Sequence, residues 1–307
     1  MDIAIIGSGI TGLSCARRLT DAGLEPKLFD KGRGIGGRVA TRRADDGLQF
    51  DHGAQAIPHN SDMFLSVLKT AQEHGAVAAW DRHTGDPRLV GVPGMTGFAK
   101  FLGRGLELQQ ATEITALTRI ADGWDLAADR LLGHFDRVIC TAPAPQTMHM
   151  VGHALTQSLD SVTYDPNLTL MVALNCTLDA PRAATDPCEA FAWVAQDSSK
   201  PGRATQNCWV VQASANWSMA HLERSKDEVA TLMLDLFLSQ YGLSATDVAY
   251  ASGHRWRYAF VTNPLGQPFV TSSDKTLYAG GDWCLGPRIE HAWQSGTAIA
   301  EDILSQL

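Results

Sequence analysis

The sequence predicts an α/β protein of two lobes (α+β in its segregation), one a doubly wound nucleotide-binding part and the other built mainly on strands. Three stretches predict it. Met1 to Asp30 reads as strand, glycine turn and helix; the middle of the chain, to about Ser273, carries strand patterns interrupted by one helix; and the end returns to strand, Gly-Asp and a long helix.

In the first stretch the apolar run Ile3-Ala4-Ile5-Ile6 ends in Gly7-Ser8-Gly9-Ile10-Thr11-Gly12, and a helical pattern continues to Gly23. A second short strand, Lys27-Leu28-Phe29, ends at Asp30, at about the 20-residue spacing of a βαβ dinucleotide fingerprint. Gly7 permits the sharp turn, Gly9 lets backbone N–H groups approach a pyrophosphate, and Gly12 lets the helix lie close to the sheet. The helix start around Thr11 then faces phosphate charge, and Asp30 is placed to accept hydrogen bonds from a ribose.

The glycine-dense run Lys31 to Arg38 reads as a loop, with Arg33 and Arg38 placed beyond the ribose acid to hold a second part of an extended cofactor. Leu48-Gln49-Phe50-Asp51 alternates like a strand and runs into His52-Gly53-Ala54-Gln55, polar residues at a strand end that suit a ligand-facing edge. Ser61 is the expected cap of a helix through Phe64, Leu65, Val67 and Leu68. After the turn-rich Gly91 to Met95 comes a short helix. Leu106 to Leu126 then alternates as a meander with its turn at Asp122-Gly123, and Phe135 to Cys140 forms a buried strand stopped by Pro143 and Pro145.

Strands are expected near Leu168 to Cys176, Phe191 to Gln196, Cys208 to Gln212 and Val248 to Tyr258, with a capping box at Ser225-Lys226-Asp227-Glu228 opening the one helix. Near the end, Leu277-Tyr278-Ala279 runs into Gly280-Gly281-Asp282-Trp283-Cys284, and a helix starts at Ile289. Ser295, Gly296 and Ala298 give that helix a small-residue face for close approach to the sheet or to a cofactor. The expected division is a nucleotide-binding domain from 1–60, 96–148 and 274–307, and a substrate domain from 61–95 and 149–273.

Of the 307 residues, 45% are hydrophobic and 19% charged, the balance of an ordinary globular protein. The net charge of -8 argues against nucleic acid or anionic membrane as the main partner, so an anionic ligand must meet local basic residues. Lys200, Arg203, Arg255 and Arg257 are the expected cluster. The cysteines form no C-x-x-C pair, which argues against a zinc site and a dithiol centre, and no metal is expected. A first strand at residue 3 leaves no room for a cleavable signal, so a cytoplasmic location is expected.

The segments IAIIGSGITGLSCARRL, LFDKGRGIGGRVATRR, DHGAQ, VPGM, TAPAPQ, SKPGR, HRWRYA and GDWCLGPRIEHAWQSG resemble, in order and over nearly the whole chain, the bacterial renalase group of the monoamine-oxidase-like flavoproteins. The resemblance implies a Rossmann-like FAD-binding domain under a second mixed-sheet substrate domain, as in monoamine oxidase and p-hydroxybenzoate hydroxylase, with FAD held non-covalently. It implies FAD contacts at Gly7, Gly9, Thr11, Gly12, Asp30, Lys31, Arg38, Gln55, Ala56, Ile114, Asp282 and Ile289, and substrate near the flavin at His254, Trp256 and Trp283. Two departures bear on the substrate: Asn167-Leu168 stands where the family-like pattern has Thr-Trp, and Ala56 where an aromatic residue follows the glutamine.

The activity implied is oxidation of isomeric, misplaced-hydride dihydro-NAD(P), with O2 as acceptor and H2O2 as product. Two readings stand beside it: a flavin amine oxidase of the same fold, and a flavin-binding scaffold or redox sensor without turnover. Alternation along His254-Arg255-Trp256-Arg257-Tyr258 puts His254, Trp256 and Tyr258 on one face of a strand and the arginines on the other.

Overall fold

The computed structural model describes every residue except 83–84, 153–154, 156–158 and 204–205. A six-stranded sheet forms the base. In chain order its strands are β1 (Ile3–Ile6), β2 (Lys27–Phe29), β7 (Glu107–Gln109), β11 (Arg137–Cys140), β17 (Val270–Thr271) and β18 (Leu277–Ala279), in spatial order β17-β18-β11-β1-β2-β7. Every pairing is parallel except β17 with β18. β1 is buried from end to end and β11 from Val138 onward, which is why IAII and VIC read as continuous apolar runs without alternation.

Helix α1 (Ile10–Asp21) crosses between β1 and β2, and the C-terminal helix packs against it. That helix is the seventh here, α7 (Ile289–Leu304), after α2 (Asp62–Glu73), α3 (Thr96–Leu102), α4 (Ala144–Val151), α5 (Ala215–Ala220) and α6 (Lys226–Tyr241). A Cβ on Gly296 would stand 2.1 Å from the Thr11 carbonyl oxygen, so the small-residue face of α7 serves close helix packing. Ser295 accepts the Gly281 N–H at 3.0 Å and ties the same helix to the strand end before it.

Above this base lies a five-stranded sheet of β12 (Thr163–Leu174), β13 (Ala183–Cys188), β14 (Phe191–Gln196), β15 (Asn207–Ala213) and β16 (Val248–Asn263), ordered β13-β14-β15-β12-β16. It is antiparallel at every pairing, where a mixed sheet is expected; a short turn joins β13 to β14, and short connections close antiparallel pairs. One face carries α6, with Val229, Met233 and Phe237 against Leu170, Val172 and Trp209. The other face meets the hairpin of β3 (Arg42–Arg43) and β4 (Gln49–Phe50), where Leu48 and Phe50 pack on Met171, Ala173 and Val210.

Several elements differ from the sequence reading for local reasons. Glu107–Gln109 joins the large sheet beside β2, so the meander is confined to β8 (Ala116–Ile120), β9 (Gly123–Ala127) and β10 (Leu131–Phe135). Phe135 closes that meander and the buried strand starts only at Arg137. β13 was not expected, because Pro187 and the left-handed Asp186 disguise an edge strand as a loop. α5 is too short to show a helical period. β5 (Val77–Trp80) and β6 (Arg88–Gly91) form a separate hairpin.

The capping residues match the reading. Ser61 accepts the Phe64 N–H, and Ser225 with Glu228 forms a full capping box. Among the described residues, no helix is long and apolar enough to cross a membrane, and no group of three or more His, Cys, Asp and Glu is placed to hold a metal ion.

Candidate functional site

The site lies where the strand ends of the large sheet meet the open face of the antiparallel one. Gly7 has φ +110, and a Cβ on Gly12 would meet the Gly7 carbonyl oxygen at 2.0 Å, so neither position admits a side chain. Gly9 differs: a Cβ there would have nothing within 4 Å. The turn therefore presents bare backbone to open space. The second glycine loop runs beside it, with Gly36 N–H donating to the Ser8 carbonyl at 2.9 Å and a bridge between Gly9 and Gly36.

Helices α1, α3, α4 and α7 have no side-chain cap, whereas α2, α5 and α6 are each capped by a serine; of the uncapped starts, that of α1 adjoins the Gly7 to Gly12 turn and that of α7 follows Asp282. The first N–H groups of an uncapped helix lack intrahelical partners and favour an anion. Thr11 is buried in the first turn of α1, and Ile289 opens α7. Asp30 closes β2 with its carboxylate turned to the turn: it accepts from Ser8 N–H at 2.5 Å, Ser8 O–H at 2.7 Å and Gly32 N–H at 2.6 Å. Ile114 packs behind Phe29, in a segment held to Asp30 by the Thr112 N–H. Lys31 stays exposed, 3.4 Å from the Gln146 amide oxygen.

Arg38 is the joint between the lobes. Its guanidinium holds Asp282 through two bonds of 2.5 and 2.8 Å and donates to the Ala259 and Tyr258 carbonyls at 3.0 and 3.3 Å. Those carbonyls are free because β16 bulges there: Asp165 pairs with Phe260 but Asn167 with Trp256, and Pro166 between them has no N–H to offer. Loop, bulge and the entry to α7 are thus fixed by one side chain.

Beside this joint three rings meet. His52 and Trp256 stack at 5.2 Å, His254 meets His52 edge-on at 4.6 Å and Trp256 at 4.4 Å, and the Trp256 indole N–H donates to the His52 carbonyl at 2.8 Å. Burial lowers the His52 imidazole to about 4, aided by Arg42; burial lowers His254 to about 3, aided by His52, Lys226 and Arg42. Both rings are neutral at pH 7. His52 Nδ1 is buried without a hydrogen-bond partner. His52 belongs to the polar strand end that the sequence marks as a ligand-facing edge, although no motif there singles it out from its neighbours.

Behind the rings sits a buried quartet of charges. Lys200 bonds Asp197 at 2.6 Å, Asp51 at 3.2 Å and the Gln55 amide oxygen at 3.1 Å, and Arg203 pairs with Asp51. Asp51 also accepts the Met95 N–H at 2.9 Å and the Thr41 hydroxyl at 2.8 Å. Burial works to raise the Asp51 carboxyl, but the two cations outweigh it and hold it down at about 2.

This geometry corrects several expectations. Lys200 and Arg203 have no exposed charge to offer a ligand, because their side chains are enclosed and matched to acids. Arg255 and Arg257 do point away from the rings, toward Leu222 and Glu223. Trp283 is fully buried with its indole N–H on the Ala142 carbonyl, so it packs behind the Asp282 joint and is not among the three rings of the wall. The Gln55 amide is spent on Lys200 and the Gly53 carbonyl, and Ala56 lies in the core, leaving only their backbone for a cofactor. Leu168 faces α6, so its replacement of an aromatic residue removes nothing from the ring wall.

The two glycine loops, the open starts of α1 and α7 and the Asp30 carboxylate at the end of β2 lie in line, and their open backbone fits FAD. The chain belongs to the flavin containing amine oxidoreductase family, whose profile matches residues 84–304, and an NAD(P)-binding Rossmann-like domain profile matches 5–70. FAD is its cofactor. The chain is 43% identical over 68 residues to a 4,4'-diapophytoene desaturase of Staphylococcus aureus, and 38% identical over 69 residues to an L-amino-acid oxidase of Siganus canaliculatus. Each match covers 22% of this chain and 13% of the relative, so the chain spans a small part of their length.

Among solved structures, a candidate protoporphyrinogen oxidase from Exiguobacterium sp. 255-15 superposes over 100% of this chain and 99% of its own, with TM-score 0.78 and 14% identity. A putrescine oxidase bound to putrescine superposes over 99% of each chain, with TM-score 0.70 and 13% identity. At such identities the likeness is one of fold.

Asp30→Ala is expected to weaken FAD retention about ten- to a hundredfold, since a charge-assisted hydrogen bond to a ribose hydroxyl contributes roughly 1.5–3 kcal/mol. Titration of the apoprotein with FAD, followed by flavin fluorescence, checks it; unchanged retention removes Asp30 from the site.

Proposed function

We propose that the protein is a renalase-like oxidase, taking a hydride from isomeric dihydro-NAD(P) and delivering the electrons to O2. The donor loses a hydride to become NAD(P)+; that hydride, a proton and O2 make H2O2. Bound FAD supplies the hydride acceptor and the route to oxygen. The FAD contacts proposed are those along Gly7 to Gly12, Asp30, Lys31, Arg38, the Gln55-Ala56 backbone, Ile114, Asp282 and Ile289, in a cofactor domain of 1–60, 96–148 and 274–307.

The observation carrying this reading is the wall of His52, His254 and Trp256, neutral and aromatic, set beside the Arg38–Asp282 joint. Such a wall packs against a planar, uncharged dihydronicotinamide ring and excludes water from its face. An amine donor calls instead for an aromatic cage with little positive charge nearby, and the Arg42 cation acting on both His52 and His254 argues against it. The wall also orients: the Trp256 N–H fixes the His52 carbonyl, and through it the loop that carries Gly53.

The test mixes FAD-loaded enzyme anaerobically with 2- and 6-dihydro isomers of NAD(P), with ordinary 4-dihydro-NAD(P)H, and with putrescine. Rapid bleaching by the isomers alone is expected. Bleaching by putrescine alone would establish the amine oxidase, and no bleaching by any of them the non-catalytic scaffold. Trp256→Ala is expected to raise the donor concentration for half-maximal bleaching about three- to tenfold, the worth of an aromatic pair. Trp256→Phe, which keeps a ring, should recover part of it; equal values in all three forms would remove Trp256 from the substrate wall.

A further inference from the structure

Stacking on His52, His254 and Trp256 holds a planar ring but leaves it free to turn in its own plane, so a group at the rim must fix which carbon it presents. The antiparallel sheet carries a row of polar residues there. His254 on β16 pairs with Thr169 on β12, and Thr169 pairs with Gln212 on β15. Side chains at directly paired positions share one face of a sheet, so the row runs from the ring wall across three strands.

Thr169 donates its hydroxyl to the Asn167 amide oxygen at 2.8 Å, and the Asn167 amide donates to the Ala213 carbonyl at 3.0 Å. Gln212 is different. Its side chain turns to the loop after His52, where Nε2 donates to the Gly53 carbonyl at 2.8 Å. That bond settles the orientation of the amide, because a carbonyl takes only a donor, and it leaves Oε1 as an acceptor. Among the described residues nothing donates to Oε1. The oxygen is not one of the enclosed polar atoms that lack a partner, so it reaches open space from a residue only 9% exposed. A Cβ on Gly53 would stand 3.5 Å from the Trp256 ring, which puts the Gln212 amide one residue from the wall.

We propose that Gln212 Oε1 is the recognition point for the carboxamide of the substrate, accepting an N–H from it while the ring rests on the wall. This deepens the dihydro-NAD(P) reading and rests on it for the identity of the ring. The proposed FAD contacts all lie outside the antiparallel sheet, so a free acceptor on the face of that sheet belongs to the substrate side. The Gly53 carbonyl keeps a second donor, the Gln55 amide at 3.0 Å, so the loop stays held when Gln212 is changed.

The experiment measures binding of NAD+ and of its 3-acetylpyridine analogue to FAD-loaded enzyme, read from the perturbed flavin absorbance. The analogue keeps the dinucleotide and the exocyclic carbonyl but carries a methyl where the amide nitrogen stands. Wild type is expected to bind NAD+ about five- to tenfold more tightly, the size of one hydrogen bond. Gln212→Met, similar in length but without the amide, should weaken NAD+ by that factor and leave the analogue where it was, so the preference disappears. A purely structural role would weaken both ligands alike and overturn the proposal. The wild-type comparison decides without any variant: equal affinity for the two ligands, or no binding of either, also overturns it. Loss of FAD in Gln212→Met with the preference intact would give the oxygen to the cofactor and overturn it too. If the preference follows Gln212 while no dihydronicotinamide isomer bleaches the flavin, the carboxamide site stands and the donor reading falls.

Discussion

Lys200→Met is expected to destabilise the protein by about 3–5 kcal/mol, the cost of removing one partner from a buried ion pair. The side chain is wholly enclosed, bonded to Asp197, Asp51 and Gln55, with its ammonium 5.4 Å over the Trp80 ring. Methionine fills nearly the same volume, so the loss reports charge and not a cavity. It leaves two carboxylates sharing Arg203 alone. Removing one charge of each sign should hurt less, and Lys200→Met with Asp197→Asn is expected to regain part of the loss.

The same quartet sets a pH dependence. The Asp51 carboxyl, brought down from 3.8 to about 2, contributes stability that is fully present above 3.8 and is lost as pH falls through 2. Asp197 is shifted the other way, raised by burial and by Asp51, so its protonation relieves the site as pH falls. In Lys200→Met the support for ionised Asp51 weakens and the acid transition should move upward. Urea unfolding followed by tryptophan fluorescence, at pH 7 and at pH 4, reads both effects; an unchanged midpoint would mean that the four charges are not coupled.

What was legible in the sequence follows from the range of the forces involved. The turn at Gly7 to Gly12 was legible because the constraint is local: backbone geometry at a strand end allows few residue types. Caps at Ser61 and Ser225 are local too. The ring wall was half legible. Alternation along β16 puts His254 and Trp256 on one face, but His52 comes from a distant strand end, and only the fold brings it within 4.6 Å of His254. The charges were misread for the same reason: a sequence shows that Lys200 and Arg203 are basic, not that Asp51 and Asp197 already neutralise them.

Arg38→Lys is expected to loosen FAD about ten- to a hundredfold although it keeps the charge, because the loss is one of geometry. A guanidinium serves both Asp282 oxygens and the two carbonyls of the β16 bulge together; an ammonium on a flexible stem cannot span that set. Asp282 is nearly buried, so it is left partly unpaired in low dielectric, and truncating such a pair costs about 2–5 kcal/mol. The effect should spread to both lobes, since the bulge also positions Trp256. Two measurements check this. FAD retention on gel filtration should fall, and amide exchange at residues 257–260 should quicken in the apoprotein, where no cofactor contact is at stake. Asp282→Asn should reproduce much of the loss, and the Arg38→Lys/Asp282→Asn pair should cost less than the sum of the singles, as expected for two groups acting through one bond. Strict additivity, or native retention in Arg38→Lys, would separate Arg38 from the joint between the lobes.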